Sequence, residues 1–125
     1  AIAIPKFEPV QSRAHERAVT ADLAALRMAA SLYREENSGK FPAQLSDLLP
    51  ALLQRIPTSK LKDHHRDAGI TAYDGSVCAD AAIDPAKVKD TGGWGYVADS
   101  SATCGGAIFV DCTHTDSQQK QWAAY

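Results

Sequence analysis

Val19, Leu23, Leu26, Ala30 and Tyr33 follow one another at spacings of four, three, four and three, the repeat that lines apolar side chains along one face of a helix. Arg17, Arg27, Arg34 and Glu35 fall largely on other faces, so the pattern predicts a long amphipathic helix over residues 1–37 that packs on a sheet. Ala18, Ala21, Ala24, Ala25 and Ala29 add strong helix formers whose small side chains allow close approach by neighbouring elements. The stop is read at Asn37-Ser38-Gly39, where glycine can take a left-handed cap and Phe41-Pro42 cannot continue the helix. Pro5 and Pro9 would each remove an intrahelical hydrogen bond, which predicts a bend or irregular turn near the start.

Leu45, Leu48, Leu49, Leu52 and Leu53 repeat the helical spacing, and Pro57 closes the stretch. A second, short helix is therefore expected over 43–55, shortened or kinked by Pro50. From Thr58 to Asp90 the signals are mixed. Lys60 to Asp67 is polar and charged, Ile70 to Tyr73 reads as a short strand, and Asp84-Pro85 is turn chemistry. After Gly92-Gly93 the alternation of Trp94, Tyr96 and Ala98, and then the run Ala107-Ile108-Phe109-Val110, predict two strands joined by the Ser/Thr/Gly-rich stretch Asp99 to Gly106. An antiparallel hairpin over 92–112 is expected, with Trp94 and Tyr96 packing on one strand face. The tail from Thr113 to Tyr125 is either a flexible end or a loop pinned by Trp122 and Tyr125. The fold class is thus α+β.

Composition narrows the function classes. With 125 residues, 45% hydrophobic and 22% charged, the chain has material for one core and is read as a single domain, 1–125. A formal net charge of −2 without a basic cluster gives no footprint for a phosphate backbone, which argues against nucleic acid as a partner. No apolar run approaches the roughly 20 residues that cross a bilayer. There is no GxSxG, P-loop, HExxH or dinucleotide-binding glycine pattern, and the chain is read as a non-enzyme. Cys104 or Cys112 with His114 imitates a nucleophile and base, but no third, orienting group is placed by the sequence. His64-His65 has no second pair and reads as surface histidine rather than a metal site.

Cys78, Cys104 and Cys112 leave one bridge plus a free thiol, or three thiols. Gly106 to Asp111 reads as extended backbone, which holds Cys104 and Cys112 too far apart to be joined. Cys78 with Cys112 is the preferred pairing, tying the loop before the sheet to the end of the last strand, and Cys78 with Cys104 is its competitor. Three unbridged thiols stay open as well, since free cysteine behaves as a small apolar residue.

The order of these elements, and the opening Ala1-Ile2-Ala3-Ile4-Pro5-Lys6-Phe7 above all, resembles type IV pilins and type II secretion pseudopilins. In those proteins the segment where the hydrophobic N-terminal helix leaves the membrane commonly reads AAIAIPxF. The similarity continues through Gly39-Lys40-Phe41-Pro42, Leu45, Leu48 and Ile56-Pro57, then through Gly92-Gly93-Trp94-Gly95-Tyr96 and the Ala107-to-Asp111 strand. It implies a pilin-like fold, a long N-terminal helix on a small C-terminal antiparallel sheet. The family's prepilin-peptidase site, aromatic first residue, glutamate and unbroken apolar stretch would all precede Ala1, so the chain is read as trimmed of the membrane-spanning half of its helix.

What the resemblance implies for function is assembly: a structural subunit of a type IV pilus-like or type II secretion pseudopilus filament. Ala1, Ile2, Ala3, Ile4 and Pro5 would lie at the edge of an apolar core of bundled helices, where packing of small residues decides the arrangement. The implied partners are copies of itself, other pilin-like subunits, an inner-membrane assembly platform and secreted cargo. The implied location is anchored in the inner membrane with this part in the periplasm, or an extracellular filament. A minor pilin or adhesin-like subunit that touches a ligand through the Lys60-to-Lys89 connection is the alternative. Some pseudopilins hold calcium in C-terminal loops, and Asp111, Thr113, Thr115 and Asp116 offer oxygens here, with Asp111 and Asp116 the candidate carboxylates. They do not reproduce the family's pattern. A solvated polar loop is the preferred reading, and no cofactor is expected.

Overall fold

The computed structural model describes residues 7–58 and 69–125, with side chains of the first helix described from residue 13. Helix α1 runs Phe7–Glu36 and carries Pro9 in its third position, where an amide would have no carbonyl four residues before it within the helix. The bend expected at Pro5 lies outside the described residues. At the other end the chain turns left-handed at Ser38 and Gly39, with φ of +58° and +81°. The Gly39 N–H donates to the Arg34 carbonyl at 2.9 Å and the Asn37 amide donates to the Tyr33 carbonyl at 2.8 Å. Carbonyls that a helix end would leave open are thereby satisfied.

The sheet is mixed rather than antiparallel. Strand β1 (Ile70–Tyr73) lies parallel to β4 (Trp94–Val97), and β4 is antiparallel to β5 (Ile108–Val110), giving the order β1-β4-β5. Between β1 and β4 the chain forms a separate two-stranded hairpin, β2 (Cys78–Ala79) with β3 (Ala82–Ile83). A parallel neighbour needs a long return connection, and residues 74–93 supply one.

All four residues of β4 are buried, so the sheet carries a core on each face. Trp94, Tyr96, Ile108 and Val110 meet Val19, Leu23, Leu26 and Ala30 of α1, the helix face expected from spacing alone. On the opposite face Val97 and Phe109 meet Val77 and Cys104. Gly95 belongs to that second face: a Cβ there would fall 2.2 Å from the Phe109 ring, so the aromatic occupies the space that a side chain would take.

No second α-helix forms over 43–55; the leucines give a single 3₁₀ turn, Leu45–Leu48. Proline disfavours helical backbone in the residue before it, and Leu49, ahead of Pro50, is extended at φ −95°, ψ 145°. Leu45 and Leu48 still enter the helix-side core, with Leu52, Leu53 and Ile56 partly buried against it. That stretch is tied to the sheet by Trp94 Nε1, which donates to the Pro57 carbonyl at 2.6 Å, and by the Tyr96 hydroxyl, which donates to the Pro42 carbonyl.

The tail is pinned. Trp122 is buried in the helix-side core, the Ala123 N–H donates to the Cys112 carbonyl at 2.9 Å, and Ser117 donates twice to the Glu16 carboxylate of α1, at 2.8 and 2.7 Å. No helix among the described residues is long and apolar enough to cross a membrane.

Candidate functional site

Polar chemistry gathers where β5 leaves the sheet. Asp111 is fully buried, and its carboxylate accepts from the Tyr73 hydroxyl at 2.7 Å, the Thr91 hydroxyl at 2.7 Å and the Asp90 N–H at 3.0 Å. Tyr73 in turn accepts from the Lys89 N–H at 2.8 Å. Burial, with the Asp111 charge beside it, holds the Tyr73 phenol protonated well above its ordinary range. One carboxylate thus joins β1, the turn before β4 and the end of β5.

One residue further on, Cys112 is a free, buried thiol. Its Sγ lies 3.4 Å from Nδ1 of His114, and the same nitrogen lies 3.6 Å from Oδ1 of Asp90. Asp90 is the group that sequence reasoning missed. Its backbone is left-handed, φ +61°, a conformation that aspartate tolerates better than most residues and that often marks a functional position. Asp90, Cys112 and His114 bring their ligand-type atoms within 4.8 Å of one another.

As a nucleophile Cys112 is poorly placed. Burial, with Asp90 and Asp111 adding to it, pushes the thiol up to about 11, so the thiolate that does the chemistry is scarce at neutral pH. The carboxylate also faces the ring nitrogen that the sulfur faces, whereas in a relay the orienting acid holds the far nitrogen. Cys104, the other cysteine weighed as a partner for His114, is not a thiol at all.

It is joined to Cys78, with Cα atoms 5.5 Å apart; the preferred pairing of Cys78 with Cys112 is corrected. The reason is the two-faced sheet. Cys78 and Cys104 belong to the core on the face away from α1, while Cys112 lies in the helix-side core.

The two calcium candidates do not come together. Asp111 is taken up as above, and Asp116 closes the 116–120 turn by accepting from the N–H groups of Gln118 at 2.8 Å and Lys120 at 3.0 Å, and from the Tyr125 hydroxyl. The two carboxylates share no donor and sit in separate hydrogen-bond networks, so they form no common cation site and each ties its own turn. Burial raises the Asp116 pKa, but hydrogen bonds from Tyr125, Lys120 and Gln118 outweigh it and hold the carboxyl below its ordinary value. Tyr125, hydrogen-bonded to that carboxylate and partly desolvated, is pushed up to about 12.

The pair has opposite signs of linkage. What Asp116 contributes is present above the ordinary carboxylate pKa and is lost as pH falls through its lowered one. What Tyr125 contributes is whole below about pH 10 and is lost as pH rises through about 12. Tyr125→Phe should therefore cost about 1 kcal/mol at neutral pH, and its deficit in melting temperature against the parent should close between pH 10 and 12. A deficit that stays constant across that window would refute the assignment.

Ala1, Ile2, Ala3, Ile4 and Pro5, the residues the resemblance marks for assembly, lie outside the described residues, as do Lys60 to Asp67 with His64-His65. What the described part of α1 adds is a second apolar face. Ala14, Ala21, Ala25, Met28 and Leu32 are all exposed, Met28 to 67% and Leu32 to 44%, and they run along the side turned away from the sheet. No protein-family model, curated protein or solved structure matches the chain.

Proposed function

We propose that the chain is a structural subunit of a pilin-like filament, of the type IV pilus or type II secretion pseudopilus kind, assembling through its N-terminal helix. The observation that carries this reading is the two-faced helix. One face is buried under the sheet, and the other presents Ala14, Ala21, Ala25, Met28 and Leu32 to solvent at spacings of seven, four, three and four, the repeat of a helix–helix seam. Met28 and Leu32, two exposed large apolar side chains one turn apart, mark a contact surface, and the exposed alanines that precede them on the same face let a second backbone come close. The occupant is another copy of this chain. A head-to-tail contact that does not close into a ring propagates as a helical filament.

The disulfide between Cys78 and Cys104 supports an oxidising compartment, as expected of a periplasmic or extracellular subunit. An inner-membrane assembly platform and other pilin-like subunits are the partners that go with this reading.

The test is immunogold electron microscopy on cells making the protein from its own gene, with a Met28→Glu/Leu32→Glu double variant alongside. Label in many copies along filaments, lost in the variant while its circular dichroism and melting temperature hold, is the expected result. Label at filament tips alone would move the assignment to a minor, adhesin-like subunit. Filaments that form undiminished in the double variant, or no filament association at all, would overturn the seam.

A further inference from the structure

A domain that closes two of its cysteines into a disulfide has kept the third reduced, and kept it facing two other ligating groups. We propose that Asp90, Cys112 and His114 form a binding site for a borderline divalent transition-metal ion, of which zinc is the representative. Separations carry the argument. A tetrahedral zinc with a bond of about 2.3 Å to sulfur and about 2.0 Å to nitrogen and oxygen sets its ligand atoms roughly 3.3–3.6 Å apart. The sulfur and Nδ1 are 3.4 Å apart, Nδ1 and Oδ1 are 3.6 Å apart, and no two of the three atoms are more than 4.8 Å apart. Sulfur and carboxylate oxygen both face one ring nitrogen, which a shared ion requires.

The donor set chooses the ion. Thiolate, imidazole and a single carboxylate suit zinc and its first-row neighbours, whereas calcium takes six or more oxygens and magnesium an octahedron of them. The ligands also stand on a fixed frame. The Cys112 N–H donates to the Val110 carbonyl at 2.8 Å and the Cys112 carbonyl accepts from Ala123. Asp90 is held twice: its N–H donates to Asp111 at 3.0 Å, and its Oδ1 accepts from the Thr113 N–H at 2.9 Å. Second contacts of this kind orient metal ligands and are costly to remove. Cys112 is buried, but His114 and Asp90 are partly exposed, so an ion can enter from their side.

The test is equilibrium dialysis of the purified, chelator-stripped protein against Zn²⁺, with metal analysis, and a parallel titration with Co²⁺ read in the near ultraviolet and visible. One ion per chain is expected, with a thiolate-to-cobalt charge-transfer absorption that Cys112→Ser abolishes. Because Cys112 is buried and its replacement threatens folding, the more exposed His114→Ala and Asp90→Asn carry the affinity test. Each removes or weakens a ligand, so binding should fall by at least the roughly 10–100-fold that loss of an outer-shell partner costs, with the melting temperature of the metal-free protein little changed. No stoichiometric zinc, a cobalt spectrum without the thiolate band, or an affinity untouched by His114→Ala would overturn the site.

Discussion

Asp111→Ala is expected to lower the free energy of unfolding by about 3–5 kcal/mol, and the melting temperature by roughly 12–20 °C, measured by urea and thermal unfolding at neutral pH. The cost comes from what the change strands. The Tyr73 and Thr91 hydroxyls and the Asp90 N–H all donate to this one carboxylate, which has no exposure to solvent. Removing it frees the exposed Thr91 hydroxyl to turn to solvent but leaves the partly buried Tyr73 hydroxyl and Asp90 N–H without their acceptor, at about 1–3 kcal/mol for each that stays unpaired. Asp111→Asn is the discriminating control. It keeps the shape and one acceptor oxygen, and the two hydroxyls can rotate to accept from the new amide, so about half the loss should return. Equal losses for alanine and asparagine would mean that the carboxylate's charge, and not the satisfaction of its donors, carries the stability. An alanine variant within 1 kcal/mol of the parent would remove Asp111 as the pin between β1, the turn before β4 and the end of β5.

How far this arrangement could be read from the sequence differs by element, for physical reasons. The buried face of α1 was legible because Val19, Leu23, Leu26 and Ala30 satisfy one spacing and a single sheet covers them. Strands β4 and β5 were legible from Gly92-Gly93, the alternation after it and the apolar run. The parallel pairing of Ile70–Tyr73 with Trp94–Val97 was not, since a parallel neighbour leaves no turn signal between the partners. Leucine spacing suggested a helix over 43–55, and Pro50 overrode it. The outward stripe on α1 was hidden in plain composition: Ala21 and Ala25 read as helix formers, and only burial separates an exposed alanine from a packed one. Asp90 precedes Cys112 by 22 residues, and the pairing of β4 with β5 brings them together, which no local motif announces.

Cysteine connectivity shows the same limit and leads to the second large effect. Ile108, Val110 and Cys112 share the parity of the helix-side core, whereas Phe109 points the other way with Cys104 and Val77. Extending the strand's alternation by two residues would have separated Cys112 from the bridge. A disulfide closing a loop of 26 residues stabilises by restricting the unfolded chain, by about 3.5 kcal/mol in the loop-entropy estimate. Cys78→Ala/Cys104→Ala is accordingly expected to lose about 3 kcal/mol and roughly 12 °C in melting temperature. The hairpin of β2 and β3 and the loop between β4 and β5 should lose amide-exchange protection first, because the core on that face is the smaller one. A reducing agent should reproduce the loss in the parent and leave the double variant unmoved. If Cys112→Ala instead makes the protein insensitive to the reducing agent, Cys112 is bridged in solution, and both the Cys78–Cys104 pairing and the free thiol at the metal-ligating cluster would fall together.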